Sequence, residues 1–202
     1  MKATMNTPQR HCEPQQRHCE PQQRLGETAQ EAAATAQQVR LRAMEPEDLD
    51  LLYVIENDRE VWSVGNTSVP YSRYVLHDYI ANTVNDIYAD GQVRLIIENA
   101  EHEAVGIADI VNFDAHHHRA EVSLVVKREH RRKGYAAATL GEIHRYALQV
   151  LHLHQLFAIV EESNEPSLQL FSRMGYGHES VLREWLFDGT NYHNAVLLQR
   201  LL

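Results

Sequence analysis

Residues 129–141 read EHRRKGYAAATLG. Arg131, Arg132 and Lys133 stand against Gly134, and a run of small residues comes next. Upstream, RAEVSLVV (Arg119 to Val126) is an apolar, β-branched segment of strand character. Downstream, Ala136, Leu140, Ile143, Ala147 and Val150 recur along one face of a helix over Lys133 to Val150. The basic knot therefore lies in a loop that leaves a buried strand and opens a helix. A helix start after a glycine presents unpaired N–H groups and the positive end of the helix dipole. Gly134 permits close backbone approach, and Ala136 and Ala137 keep the first turn free of bulk. The three cations add charge around that space. By these physics the loop reads as a cradle for a diphosphate, with a solvated helix end as the bland alternative.

The rest of the chain narrows the choice. Its 202 residues carry a formal charge of −9 and 44% hydrophobic residues. That size suits one domain with an appendage, and the apolar content can supply a core. An acidic body repels a phosphate backbone, so a nucleic-acid partner is not expected and a small anionic ligand is favoured. No run of eighteen apolar residues suggests a membrane span, and the start lacks the apolar centre of a signal peptide. Both cysteines lie near the N-terminus, so disulfides are not expected to hold the fold, and a cytoplasmic location is expected.

Residues 1–38 differ in composition from residues 39–202. PQQRHCE repeats with a seven-residue period from Pro14, echoed from Pro8. A proline in every heptad breaks helices, so the segment reads as a disordered, low-complexity extension. His11, Cys12, His18 and Cys19 lack both scaffold and the usual metal-ligand spacing, so no metal site is expected. Lys2 and three arginines balance four glutamates in this tail, which leaves the acidic excess to residues 39–202.

In that body, VRLRAM (Val39 to Met44) alternates as a strand, and EPEDLDLLYVIEND opens a helix with acidic residues in its first turn. A second helix is expected from Ser72 to Ile87. Strands are expected at Gln92 to Glu98, Ala104 to Val111 and Arg119 to Val126. After the long helix come a buried strand, Leu156 to Val160, and a helix opened by Asn164 and closed by Gly175. The end reads as a hairpin about a tight Asp188-Gly189 turn. The order is β-α-α-β-β-β-α-β-α-β-β, a single α/β domain.

The spacing Arg131-x-x-Gly134-x-Ala136 is neither a Walker loop nor a GxGxxG turn. It resembles the R/Q-x-x-G-x-G/A signature of the GNAT superfamily of N-acetyltransferases. A second segment, NEPSLQLFSRMGY (Asn164 to Tyr176), resembles that family's N-x-x-S-x-x-L-Y-x-K-x-G-F at the Asn, Ser, Leu, basic and Gly positions. The two stand in the family's order with a strand between them. HHRAEVSLVV, VRLRAMEPEDLDLL and the closing hairpin extend the likeness over Val39 to Leu202, toward the bacterial spermidine/diamine acetyltransferase branch.

The resemblance implies a mixed central sheet of about seven strands with helices on both faces. It implies acetyl transfer from acetyl-CoA to a primary amine, a small polycation such as spermidine, and a homo-oligomer. Backbone N–H groups of Leu124, Val125 and Val126 would meet the acetyl and pantetheine groups. Arg131, Arg132, Lys133, Gly134, Tyr135, Ala136 and Ala137 would hold the pyrophosphate, with Asn164, Ser167 and Arg173 flanking the pantetheine arm. The family's tyrosine acid is replaced by Phe171, which has no proton to give. A water, Ser172 or another tyrosine would then serve, or the thiolate would leave unaided. Candidate bases are Glu121, which also reads as a strand-face carboxylate paired with an arginine, and His116, His117 and His118, which also read as an exposed turn. Glu60 and Trp62 are the remnants of the branch's amine contacts. Two other readings stay open: acetylation of a protein N-terminus, and an acetyl-CoA sensor without chemistry.

Overall fold

The computed structural model describes residues 37–58, 69–84 and 86–202. The repeat-bearing extension, with its disorder expected over residues 1–38, falls outside them save for its last two residues, and Glu60 and Trp62 fall outside them as well.

Strand β1 (Val39–Arg42) leads through a 3-10 turn (Pro46–Asp48) into helix α1 (Leu49–Glu56). Helix α2 (Arg73–Asn82) and the single turn α3 (Ile87–Asp90) precede strands β2 (Val93–Asn99), β3 (Ala104–Asp114) and β4 (Arg119–Val126). Then come α4 (Tyr135–Gln149), β5 (Gln155–Glu161), α5 (Glu165–Arg173), β6 (Gly177–Phe187) and β7 (Tyr192–Leu201). The seven strands form one sheet in the order β1-β2-β3-β4-β5-β7-β6. Every neighbouring pair is antiparallel except β4 and β5.

The sheet has an apolar layer on each face. Leu52 and Ile55 of α1 and Leu76 of α2 pack on Ile96 and Ile107. On the opposite face, Leu140, Ile143 and Ala147 of α4 pack with Phe171 of α5 against Val122, Leu156 and Val160. These are the apolar positions whose helical spacing is visible along α4 in the sequence. Helices on both faces of a mixed seven-stranded sheet match the expected fold.

Three local expectations are corrected. The helix expected over Ser72 to Ile87 is two helices. Ser72 caps α2, its hydroxyl accepting from the Val75 amide, but the helix stops at Asn82. There the Asn82 and Thr83 side chains donate to the Asp78 and Tyr79 carbonyls, while Thr83 turns to extended backbone. Asp86 caps α3 afresh, and Gly91, at φ +65°, closes it. The strand expected over Ala104 to Val111 runs on to Asp114, through an irregularity where Asn112 takes φ +49°. The hairpin turn spans residues 188–191 rather than two residues. Asp188 accepts from the Thr190 and Asn191 amides at 2.7 Å each, which widens the turn.

Candidate active site

The site is built where the sheet comes apart. β4 and β5 pair over only Arg119↔Gln155, Ala120↔Leu156 and Glu121↔Phe157. Beyond that point β4 stays bonded to β3 as far as Val126, and β5 to β7 as far as Glu161. A wedge therefore opens between residues 122–126 and 158–161, and the β4 backbone along it has no strand partner on that side. An unpaired strand edge facing a cleft offers N–H and C=O groups to a ligand. Leu124, Val125 and Val126 belong to this edge. Gly106 of β3 supports them from behind: a Cβ there would lie 2.3 Å from the Val125 carbonyl oxygen.

The cradle loop leaves directly from this edge. The Lys127 amide donates to the Val105 carbonyl at 2.9 Å, and a 3-10 turn (Arg128–His130) leads to Arg131. Arg131 Nε donates to the Val126 carbonyl at 3.0 Å, which fastens the loop to the end of β4. Arg132 takes φ +60° and Gly134 φ +89°, two left-handed residues that fold the loop back over the start of α4. No side chain caps α4. Its first amides, those of Tyr135, Ala136 and Ala137, face a loop on which Arg131, Arg132 and Lys133 are exposed. An uncapped helix start of fifteen residues beneath three cations fits a diphosphate group.

His130, which carries no motif signal, is the buried pin of this loop. Its ring meets Tyr135 edge-on at 5.8 Å, and Nε2 lies 3.2 Å from Glu103 Oε1, just before β3. Its Nδ1 is buried with no hydrogen-bond partner.

On the far wall, Asn164 caps α5 by accepting from the Ser167 amide at 3.2 Å. Ser167 is half-buried, and Arg173 is exposed at the other end of the helix. Phe171 is 5% exposed and packs edge-on against Tyr176, with ring centroids 4.9 Å apart. Tyr176 occupies the position where the family pattern has phenylalanine, so phenol and phenyl are exchanged along the segment. The Tyr176 hydroxyl lies 3.1 Å from His144 Nε2. Burial raises the Tyr176 pKa, while burial, with a smaller push from Arg200, lowers that of His144 to about 4. The ring is therefore neutral and shares one hydrogen bond with the phenol.

The candidate bases separate. His116, His117 and His118 sit at the β3–β4 turn, at the opposite end of β4 from the cradle. The His117 amide donates to Asp114 at 2.9 Å, and His118 Nδ1 lies 3.1 Å from the His152 carbonyl. Glu121 stands at the last paired position of the wedge. Its partner is not an arginine: Asn112 Nδ2 donates to Glu121 Oε2 at 2.7 Å, and Arg119 pairs with Asp114 instead. Ser172 is exposed, one position on from the inward-facing Phe171.

A shallow cavity of about 200 Å³ lies elsewhere, between α2 and the start of β2, bordered by Asp78, Tyr79, Asp90 and Arg94. It is apart from the wedge. Among the described residues no group of His, Cys, Asp or Glu has metal-site geometry.

The chain matches the acetyltransferase (GNAT) domain family over residues 38–177. It is 28% identical over 159 residues to the spermidine N(1)-acetyltransferase of Escherichia coli K12, covering 78% of this chain and 83% of that protein. The corresponding Vibrio cholerae enzyme is 25% identical over 155 residues, covering 77% and 88%. Among solved structures, the Vibrio cholerae spermidine N-acetyltransferase in complex with CoA and spermine superposes with a TM-score of 0.73 at 25% identity, covering 81% of this chain and 95% of that one. With the wedge, the cradle and the match over most of the body, this chain belongs to the GNAT family of acetyltransferases.

Proposed function

We propose that this N-acetyltransferase moves the acetyl group of acetyl-CoA to a primary amine of a small polyamine such as spermidine. The observation that carries the reading is the wedge between β4 and β5 with the uncapped α4 start at its mouth. The likeness to spermidine N-acetyltransferases supports the amine. Acetyl-CoA is the family's co-substrate. Arg131, Arg132 and Lys133, with the amides of Gly134 to Ala137, hold its pyrophosphate in this proposal. The pantetheine arm then runs between Leu124–Val126 and the start of α5, at Asn164 and Ser167, with Arg173 at the far end. The N–H groups of Leu124 and Val126 face the acetyl carbonyl, whose oxygen gains negative charge as the amine attacks, while the Val125 backbone turns to β3. Glu121, at the vertex, meets the ammonium group of the incoming amine.

Phe171 leaves the departing thiolate without a phenol. A thiol of ordinary pKa is a competent leaving group near neutrality, so acid assistance is dispensable. Accordingly Phe171→Tyr should leave kcat within about twofold of the parent; a tenfold rise would show that the missing acid limits the rate. The homo-oligomer is part of the same proposal, supported by exposed Trp185, Phe187 and Tyr192 on the closing hairpin, as is the cytoplasmic location. Among the described residues no helix is long and apolar enough to cross a membrane.

The decisive experiment is thiol release from acetyl-CoA with a panel of mono-, di- and triamines and N-terminal peptides. Turnover of spermidine above monoamines is expected. Turnover of peptides alone would move the assignment to protein N-termini. Acetyl-CoA binding without turnover of anything would make the protein a sensor.

A further inference from the structure

The parallel register carries a consequence for the wall opposite β4. Continuing Glu121↔Phe157 by four residues sets Val125 level with Glu161, the last residue of β5. Glu161 thus stands across the wedge from the amides assigned to the acetyl group. It shares a strand face with Phe157 and Ile159, because side chains alternate along a strand. That face is opposite the one on which Leu156, Ala158 and Val160 meet the core under α4 and α5. It is also the face of Glu121, so the two carboxylates border the wedge on the side away from the cradle helix.

Glu161 pairs with Ala195 of β7, which brings His193, two residues earlier and on the same face, beside it. The imidazole is set between two acids of different kinds. Its Nε2 lies 2.8 Å from Asp188 Oδ2, a hydrogen bond, with Asp188 itself fixed by the Thr190 and Asn191 amides. Its Nδ1 lies 3.5 Å from Glu161 Oε1, an ion-pair distance that is long for a hydrogen bond. Glu161 Oε1 already accepts from the Ser163 hydroxyl at 2.8 Å. One ring nitrogen is therefore committed and the other is available at the rim. A carboxylate that orients one nitrogen and stabilises the cationic ring, with the other turned to the reacting group, is the arrangement of a general base.

We propose that His193, oriented by Asp188, is the base that deprotonates the amine, with Glu161 and Glu121 drawing the ammonium group between them. This rests on the acetyl-transfer reading above and names its proton acceptor. The step balances simply. The ammonium nitrogen gives one proton to neutral His193 Nδ1 and so regains its lone pair. That lone pair forms the C–N bond to the thioester carbonyl carbon. As the C–S bond breaks, the coenzyme leaves as thiolate and takes a proton from water. The second nitrogen proton and the one held by His193 pass to solvent before the next turnover.

The other polar groups around the ring, among the described residues, agree with a cation being tolerated there. Asn194, beside His193, donates to Glu162 at 2.9 Å, and its Oδ1 accepts from the Glu184 amide of β6 at 3.0 Å. Among these groups there is no lysine or arginine. The Asp188 hydrogen bond is the largest influence on His193 and raises its pKa from the ordinary imidazole value. Asp188 is lowered to about 2, by the Asn191 amide first and then by His193.

The test is the pH dependence of kcat/KM for spermidine, read beside an NMR titration of the His193 ring without substrate. Activity should rise with pH through the imidazole pKa, because only neutral His193 accepts the proton. Asp188→Asn, which keeps the turn acceptor and removes the charge, should move both the acid limb and the NMR titration to lower pH by about one unit. His193→Gln should abolish the limb and cut kcat/KM by about 100-fold or more, with acetyl-CoA affinity by calorimetry within about twofold of the parent. Glu121→Gln should raise KM for spermidine and leave the limb in place. A His193→Gln protein that keeps the limb and a rate within about threefold of wild type overturns the proposal while acetyl transfer stands. A wild-type protein that acetylates no amine overturns both.

Discussion

Gly106 shows how much the site asks of a single residue. The Val125 carbonyl lies where a side chain at position 106 would have to be, so β3 and β4 approach closely behind the wedge. Gly106→Ala must push Val125 and Val126 toward the wedge or separate the strands. Overpacking of this kind costs about 1–3 kcal/mol, which a urea titration would detect, and the displaced edge should weaken acetyl-CoA binding as well. His144 makes a second prediction of this kind. Its folded pKa, about 4, is below the usual unfolded value, so the unfolded chain binds the extra proton between those two limits. Stability from this group is intact above the unfolded pKa and is lost as pH falls from about 6.5 to about 4. His144→Gln keeps a partner for the Tyr176 hydroxyl without a titrating ring, and should flatten the decline of Tm across that window. Nothing in the local sequence reveals this pair. Tyr176 stands just past α5 and His144 lies a helix and a strand earlier, and only folding brings them together.

At the level of elements, the ion pairs tie helices to sheet at places the core does not reach. Arg94 of β2 donates to both oxygens of Asp109 on β3, at 2.7 and 3.0 Å, and to Glu56 at the end of α1. Replacing it by methionine leaves two largely buried carboxylates facing each other. The expected loss is about 3 kcal/mol in chemical denaturation, larger than for an exposed pair because the stranded charges are only partly hydrated. The elements themselves are largely legible in the sequence. α4 announces its buried face by spacing, Asn164 and Gly175 frame α5, and the inner strands β2 to β5 are rich in Val, Ile and Leu. Side-chain competition accounts for the departures: Asn82 and Thr83 end α2 within a stretch whose composition continues as helix, and Asp188 widens a turn that its Asp-Gly pair suggests is tight. In both, a short polar side chain takes a backbone partner that periodicity alone does not register.

For the molecule as a whole, the proposed cofactor end is readable because it depends on backbone and small residues at fixed spacing. The proposed amine end is not, since it is assembled across strands. Glu161 lies on β5, while Asp188 and His193 come from the closing hairpin, and the sequence marks Asp188 only as a turn residue and the other two not at all. The acidic balance does bear on this end. With a formal charge of −9, the protein draws polycations over a distance set by the ionic strength. The KM for a triamine should therefore rise several-fold as salt increases from about 20 to about 200 mM, and that for a monoamine much less, in steady-state assays.

The three-pair junction of β4 and β5 has one further effect. Along residues 122–126, alternate amides point either to β3, where they are bonded, or into the wedge, where no strand receives them. Without ligand, the deuterium uptake of this strand should consequently be comb-like, slow and fast amides alternating through an otherwise firm core. Acetyl-CoA should silence the fast teeth of the comb and leave the slow ones as they were. The sheet would in that way carry an isotopic record, residue by residue, of the edge proposed to hold the coenzyme.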